Sequence, residues 1–249
     1  MNERVIYSAR GLSKEYRMKR VVIPVLKKIN IDIHQGEILS IVGHSGVGKS
    51  TLLNLLGLLD VPTSGALTYH GEAATNGGVD LTSLGVKEKA RVRNRDFGFV
   101  FQFYYLLPDL NVIENILLPS MIQYSRGAYR ARRADLEAKA ETLLDRVGIR
   151  QRRDFFPTQL SGGERQRAAI ARSLMNDPRI VFCDEPTGNL DTMTGERIHD
   201  LILELNRTLN VTFILVTHDE RLASLAHRCL TMRDGVFVDD GPLPRKTHG

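Results

Sequence analysis

Gly43-His44-Ser45-Gly46-Val47-Gly48-Lys49-Ser50 has the spacing G-x-x-x-x-G-K-S, that of a backbone cradle for a polyphosphate. The glycines Gly43, Gly46 and Gly48 allow N–H groups to turn inward on phosphate oxygens, Lys49 adds a point charge for the β- and γ-phosphates, and the Ser50 hydroxyl faces Mg²⁺. Further along, Ile180-Val181-Phe182-Cys183 runs into Asp184-Glu185. A carboxylate at the tip of a buried strand can hold Mg²⁺ through its water shell, and its neighbour can polarise a water for in-line attack on phosphorus. Thr217-His218-Asp219 ends another apolar run, Thr212 to Val216, so an imidazole also arrives at a strand end, where it can contact a γ-phosphate. Leu160-Ser161-Gly162-Gly163-Glu164-Arg165-Gln166 is a glycine turn opening a helix, whose dipole and free N–H groups attract an anion. No lysine accompanies it. It therefore reads as half of a site for a phosphate bound elsewhere.

The elements that must carry these groups occur in a suitable order. Glu37 to Val42 reads as a buried strand entering the glycine loop, and Ser50 to Leu59 as the helix behind it. Before them, β-prone stretches at Val5–Leu12 and Ile29–Ile33 flank a charged turn, Lys14–Arg20, in which Tyr16 stands; this predicts an antiparallel entry sheet. Pro62 and Gly65 punctuate the chain before a strand at Ala66–Tyr69, and Ala74–Asp80 is a polar surface loop. Phe97–Phe101 is a strand closing on Gln102, after which Leu106-Leu107-Pro108 breaks the pattern and a helical region extends to Ile149. Its helix, Ala131–Val147, places Leu136, Ala140, Leu143, Leu144 and Val147 on one stripe. Helices at Glu164–Met175 and Thr194–Leu205 then alternate with strands at Ile180–Cys183 and Thr212–Val216, the pattern of an α/β protein with a largely parallel sheet.

A chain of 249 residues, 42% hydrophobic, can bury a substantial core. Its longest apolar stretch, Leu52–Leu59, is interrupted by Asn54 and Gly57 and falls short of the roughly 18–20 residues that span a bilayer. Met1–Arg10 lacks the apolar run of a secretory signal, so the cytoplasm or its membrane face is the expected site of action. Cys183 and Cys229 have no metal-ligand spacing. The formal net charge is +5, and the segment Arg126–Arg153 alone holds nine basic residues against four acids. A solvated helical face accounts for that surplus at this level.

Taken together, these residues resemble the ATP-binding cassette (ABC) ATPase family over nearly the whole chain: a Walker A loop at Gly43–Ser50, Q-loop Gln102, signature Leu160–Gln166, a Walker B strand to Glu185, and switch His218. The resemblance implies ATP and Mg²⁺ as cofactors, with the loop through Val47 and Thr51 around the phosphates. It implies that Tyr16 stacks on adenine, and that Ser50, Gln102 and Asp184 serve the metal. Lys49, Gln102, Glu185 and His218 become the catalytic set. It further implies that Asn189-Leu190-Asp191 forms a D-loop, and that Ser161, Gly162, Gly163, Gln166 and Asp191 complete the nucleotide site of an opposing copy in a homodimer. The implied fold is one domain, 1–249: a P-loop NTPase, RecA-like core (1–101 and 157–249) with an antiparallel N-terminal β subdomain, and an inserted α-helical lobe at 102–156.

Within the family, Leu56–Asp60, Phe101–Pro108 and Asp184–Asp191 are similar to the lipoprotein-releasing (LolD) and macrolide-exporter (MacB) branch, more so to the former. That branch implies separate transmembrane permease subunits (FtsX/LolC/LolE-like) and a peripheral position on the cytoplasmic face of the inner membrane. A nucleic-acid-acting ABC ATPase is disfavoured, because the chain has one cassette, no metal-spaced cysteines and no sustained heptads. The departures from the branch are the polar loop Ala74–Asp80 and a basic insert at Tyr124–Arg133. For the apolar, aromatic run Phe103–Leu107, a docking surface and core packing are both open readings.

Overall fold

The computed structural model describes residues 4–19, 21–71 and 78–238. They form two compact units: one from the chain's beginning to Lys89 and again from Asn206, the other from Ala90 to Leu205.

The first unit opens with a long antiparallel hairpin, β1 (Val5–Met18) and β2 (Val21–His34), paired from Val5↔His34 to Met18↔Val21. The expected charged turn at Lys14–Arg20 is therefore mostly strand. Lys14 pairs with Leu26, Tyr16 with Ile23 and Met18 with Val21. Beyond the buried Lys14 and Leu26 both faces of this ladder are solvent-exposed, Glu15–Met18 against Val21–Pro24, so its charged residues are compatible with strand although they mimic a turn in the sequence. Ile29, Ile31 and Ile33 alternate into the core from one face of β2. Pro24 is tolerated because β2 is an edge strand, where no ladder N–H is required of it.

Strand β3 (Ile38–Val42) is almost continuously buried, as a parallel strand covered on both faces must be. Helix α1 (Lys49–Leu56) follows, burying Leu52, Leu53, Leu55 and Leu56. Full burial is worth about 1.5–3 kcal/mol for each leucine. The helix is tied to β1 by the fully buried Tyr7, whose hydroxyl donates to the Leu56 carbonyl at 2.8 Å. It stops at Gly57, and Leu58 turns away with φ 58°. Strand β4 (Ser64–Tyr69) pairs antiparallel with β1, and β5 (Val79–Asp80) with β4, giving a sheet of order β2-β1-β4-β5. Val79 and Asp80, expected in a loop, thus belong to an edge strand. Residues 74–77 of that expected loop lie outside the described residues.

Helix α2 (Val86–Asp96) leads out of this unit. In the second unit, β6 (Phe97–Phe101) ends at Gln102, and α3 (Val112–Gln123) begins with a reciprocal cap between Asn111 and Glu114. Helix α4 (Arg126–Arg146) is capped by Ser125 and buries Ala140, Leu143 and Leu144, while Leu136 is only partly covered. The basic insert is thus the Tyr124-Ser125 corner and the first two turns of this helix. Helix α5 (Gly162–Ser173) packs so closely on β6 that a Cβ at Gly98 would lie 2.5 Å from the Ser173 carbonyl oxygen. Strand β7 (Ile180–Asp184) lies parallel to β6, and α6 (Thr192–Leu209) returns the chain to the first unit.

There β8 (Thr212–Thr217) pairs parallel with β3 on one side, and β9 (Arg228–Arg233) pairs parallel with it on the other. The short α7 (Glu220–Leu225) separates them, and β10 (Val236–Val238) closes the edge antiparallel to β9.

Candidate functional site

In the first unit the last rung of the β3–β8 ladder is Val42↔Thr217. Gly43 and His218 are the next residues, so the glycine loop and the imidazole leave the sheet side by side at the carboxyl ends of parallel strands. Open α/β sheets bind ligands at that edge. The loop's course depends on glycine. Gly43 has φ 153°, and a Cβ there would lie 2.3 Å from the Met232 carbonyl oxygen. Gly48 has φ 106°, serves as the N-cap of α1, and offers no side chain to its N–H groups. The first-turn donors of Lys49, Ser50 and Thr51 therefore have no side-chain cap at this end. Lys49 is buried, and its ammonium donates to the Gly43 carbonyl at 2.7 Å and the His44 carbonyl at 3.0 Å. That arc holds the charge over the loop. Ser45, Gly46, Ser50 and His218 are exposed; Val47 and Thr51 are partly so.

Tyr16 projects from β1 rather than from a turn. Its hydroxyl donates to Asp60 Oδ2 at 2.9 Å, and the Lys14 ammonium stands 4.8 Å from its ring centroid. Lys14 also donates to Asp60 Oδ1 and to the Val61 carbonyl, both at 2.7 Å. Burial tends to raise the Asp60 pKa. Hydrogen bonds from Lys14, the Val61 N–H and Tyr16 outweigh it and hold the carboxyl below its usual range. Burial and Asp60 push the Tyr16 phenol up. The ring is thus fixed at its polar end and remains 41% exposed, which leaves a face for a planar ligand. Lys14 and Asp60 as the holders of Tyr16 were not legible in the sequence, since nothing local marks a contact 46 residues apart.

The second unit repeats the device. Its β6–β7 ladder ends at Phe101↔Asp184, so Gln102 and Glu185 leave the sheet at one rung. Asp184 and Glu185 are partly exposed, and Glu185 adopts φ 49°, a left-handed conformation that is strained for a residue with a Cβ. The following loop keeps it there: the Gly188 N–H donates to the Glu185 carbonyl at 3.0 Å, and the Leu190 N–H to the Thr187 carbonyl at 3.0 Å. Thr187 is in turn 3.3 Å from Nε2 of the buried His199 on α6. Gln102 Nε2 donates to Asn189 Oδ1, and Asn189 Nδ2 donates to the Gln102 carbonyl. Asp191 starts α6 by accepting from the Thr194 N–H at 3.0 Å.

Ser161 caps α5 in a reciprocal box with Glu164. Gly162 and Gly163 pack tightly: a Cβ at Gly163 would lie 2.5 Å from Thr194, and one at Gly162 would lie 3.1 Å from Leu190. Ser161 is exposed and Gly162 partly so, but Gln166 is fully buried, and its amide oxygen and nitrogen have no hydrogen-bond partner among the described residues. The segment after Gln102 has two consecutive left-handed residues, Tyr104 (φ 64°) and Tyr105 (φ 46°). Arg172 of α5 donates to both of their carbonyls. This turn exposes Phe103, Tyr105 and Leu107, while the buried Asn115 grips the backbone of Leu107, Leu110 and Asn111. Neither Arg172 nor Asn115 carries a sequence signal, because each acts on main-chain groups.

For a magnesium ion the donor types are suitable: a hydroxyl at the second residue of α1 and a carboxylate at the end of β7 are hard oxygen ligands. Among the described residues no group of three or more His, Cys, Asp or Glu could hold a metal.

A family model described as ABC transporter matches residues 26–188. The chain is 44% identical over 236 residues to "Lipoprotein-releasing system ATP-binding protein LolD 2" of Rhodopirellula baltica, covering 95% of this chain and 90% of that one. It is 44% identical over 238 residues to LolD of Pseudomonas fluorescens, covering 96% and 99%. Among solved structures it is similar to the dimeric MJ0796, a bacterial ABC transporter cassette, at 36% identity and TM-score 0.82, covering 93% of this chain and 96% of that chain. A post-hydrolysis state of the same cassette, bound to ADP and Pi, matches with TM-score 0.80 at 35% identity.

Proposed function

The chain belongs to the ABC transporter family, and from that premise we propose that it is the ATP-hydrolysing subunit of a lipoprotein-releasing transporter, working with separate membrane-spanning permease subunits. The observation that carries this reading is the placement of chemical groups at the last rungs of two parallel ladders: the glycine loop with His218, and Gln102 with Asp184-Glu185.

In this reading Tyr16 stacks on adenine, and the loop N–H groups from Gly46 to Thr51 receive the β-phosphate. Lys49, turned over the loop by its carbonyls, neutralises charge on the β- and γ-oxygens. Ser50, Gln102 and Asp184 would hold Mg²⁺, which when bound spreads the negative charge of the triphosphate. Glu185 orients a water and takes its proton as that water attacks the γ-phosphorus, the bond from phosphorus to the β,γ-bridging oxygen breaks and ADP leaves, while His218 donates a hydrogen bond to the γ-phosphate. Ser161, Gly162 and Gly163, at the N-terminus of α5, receive the γ-phosphate of nucleotide held by a second copy. Two chains thus form two complete sites, ATP closes the dimer, and hydrolysis opens it.

Gln102 and the helical lobe 102–156 pass closure to FtsX/LolC/LolE-like permeases at the cytoplasmic face of the inner membrane. No helix among the described residues is long and apolar enough to cross a membrane, which fits a subunit that relies on a separate path. The test is phosphate release by the chain co-purified with its permease. Glu185→Gln is expected to stop turnover while retaining ATP binding and ATP-dependent dimerisation. Hydrolysis by that variant at the parent rate would overturn the role of Glu185. Failure of the parent complex to release lipoprotein from membrane vesicles with ATP would overturn the cargo class.

A further inference from the structure

The basic surplus of the helical lobe divides into two parts. Downstream, every cation but the exposed Arg146 is paired: Lys139 with Asp177, Arg150 with Glu141 and Asp145, Arg152 with Glu164, and Arg153 with Glu141. Upstream, at the start of α4, they are not. Arg126, Arg130 and Arg132 have no carboxylate partner among the described residues, and Arg133 alone reaches one, Glu137 at 2.7 Å. No acidic residue occurs between Glu114 and Asp135.

Helix physics disfavours this arrangement. Arg126 and Arg130 sit in the first turns of α4, where the macrodipole is positive, and they repel each other as an i, i+4 pair. Arg126, Arg130 and Arg133 fall at i, i+4 and i+7, so they form one stripe, and the three are exposed. A two-residue corner, Tyr124-Ser125, joins α4 to α3, whose last turn exposes Met121 at 39% and Ile122 at 73%. The Arg132 guanidinium lies 5.1 Å from the Tyr124 ring centroid and so braces that corner. A cationic stripe in which only Arg133 has a carboxylate partner, beside bare aliphatic side chains and a tyrosine, has the composition of an interfacial element, with apolar groups for the acyl boundary and arginines for phosphates.

We propose that the α3–α4 corner, Met121 to Arg133, is a docking surface for an anionic phospholipid bilayer. The arginines engage headgroup phosphates, and Ile122 with Met121 enters the boundary beneath them. An acidic protein loop would satisfy the arginines and leave Ile122 without a role, so the bilayer fits both halves of the surface. The inference rests on the membrane-face location proposed above, but its measurement needs neither nucleotide nor permease, so failure of one leaves the other standing.

The full chain is sedimented with vesicles of phosphatidylglycerol and phosphatidylcholine, and with vesicles of phosphatidylcholine alone, at about 0.1 M salt. Binding is expected to the anionic vesicles only, to weaken with added salt, and to fall about five-fold for each arginine removed. Arg126→Ala with Arg130→Ala should therefore lose roughly 25-fold. Ile122→Ser should weaken binding to anionic vesicles without changing its salt dependence. All these sites are exposed, and unchanged ATP affinity of each variant verifies its fold. Equal binding to neutral vesicles, no binding by the parent chain, or parent-like binding by the double-alanine variant would overturn the proposal. The last two results would leave an acidic protein partner as the occupant.

Discussion

Gln102 and Asn189 hold each other by reciprocal hydrogen bonds: Gln102 Nε2 donates to Asn189 Oδ1 at 3.1 Å, and Asn189 Nδ2 donates to the Gln102 carbonyl oxygen at 3.0 Å. One follows β6 and the other lies four residues beyond Glu185, so the pair locks two chain segments that leave one ladder. Asn189→Ala should lower ATP turnover more than ATP affinity. In a double-mutant cycle with Gln102→Ala the coupling is expected at about 0.5–1.5 kcal/mol. Additive effects on turnover would show that the two segments act independently.

Arg172 is the second lock. Burial pulls its guanidinium down to about 10, still fully charged at neutral pH, and it donates to the carbonyls of Tyr104 and Tyr105. Arg172→Met should cost about 1–3 kcal/mol, because the two carbonyls lose a charged donor. Limited proteolysis should then cut within 103–107 faster than in the parent chain. An unaltered cleavage pattern would mean that the left-handed turn holds without it.

Glu164 provides a pH dependence. The Ser161 N–H lowers the pKa of its carboxyl, burial opposes this, and Arg152 adds to the lowering. A carboxylate depressed in the folded state stabilises it above the ordinary value of about 4.3 and loses that contribution as pH falls through the lowered folded value. Its exposure and solvent screening limit the effect to about 1 kcal/mol. Glu164→Gln keeps an acceptor for Ser161 but removes the charge. Chemical denaturation from pH 7 to pH 3 should show a smaller acid-induced loss than in the parent.

Gln166 is buried with both polar atoms unpaired among the described residues, and an unsatisfied buried group costs about 1–3 kcal/mol. Gln166→Met keeps the length and removes the liability, so thermal stability should rise by a few degrees. A fall instead would show that the amide is satisfied in the working protein.

The motif-bearing turns and strand ends were more legible in the sequence than the rest of the scaffold. Gly43–Ser50 does lie between β3 and α1, Ser161–Gly163 at the start of α5 and Asp184-Glu185 at the end of β7, places that short glycine-rich and acidic spacings mark in a sequence. The buried strands Ile38–Val42 and Ile180–Asp184 were readable from their apolar runs to within a residue. The reach of the β1–β2 hairpin was not, because its exposed distal rungs carry charges that mimic a turn. Helix α2 buries no residue and so shows no period, and β9 mixes Arg228, Thr231 and Arg233 with apolar residues. The ties at Lys14, Asn115, Arg172 and Asn189 are decided by distant parts of the chain, and local pattern carries no trace of them.

The rung Val42↔Thr217 and the rung Phe101↔Asp184 work as two rulers. What they measure is chain length along a strand, since each residue added or removed moves an exit point by about 3.3 Å and turns the next side chain to the other face. Apolar substitutions within β3, β6, β7 or β8 therefore act on stability and leave the chemistry in place. Deleting one residue from any of them would put His218 out of step with the glycine loop, or Gln102 out of step with Glu185, in a protein that keeps every functional side chain it had.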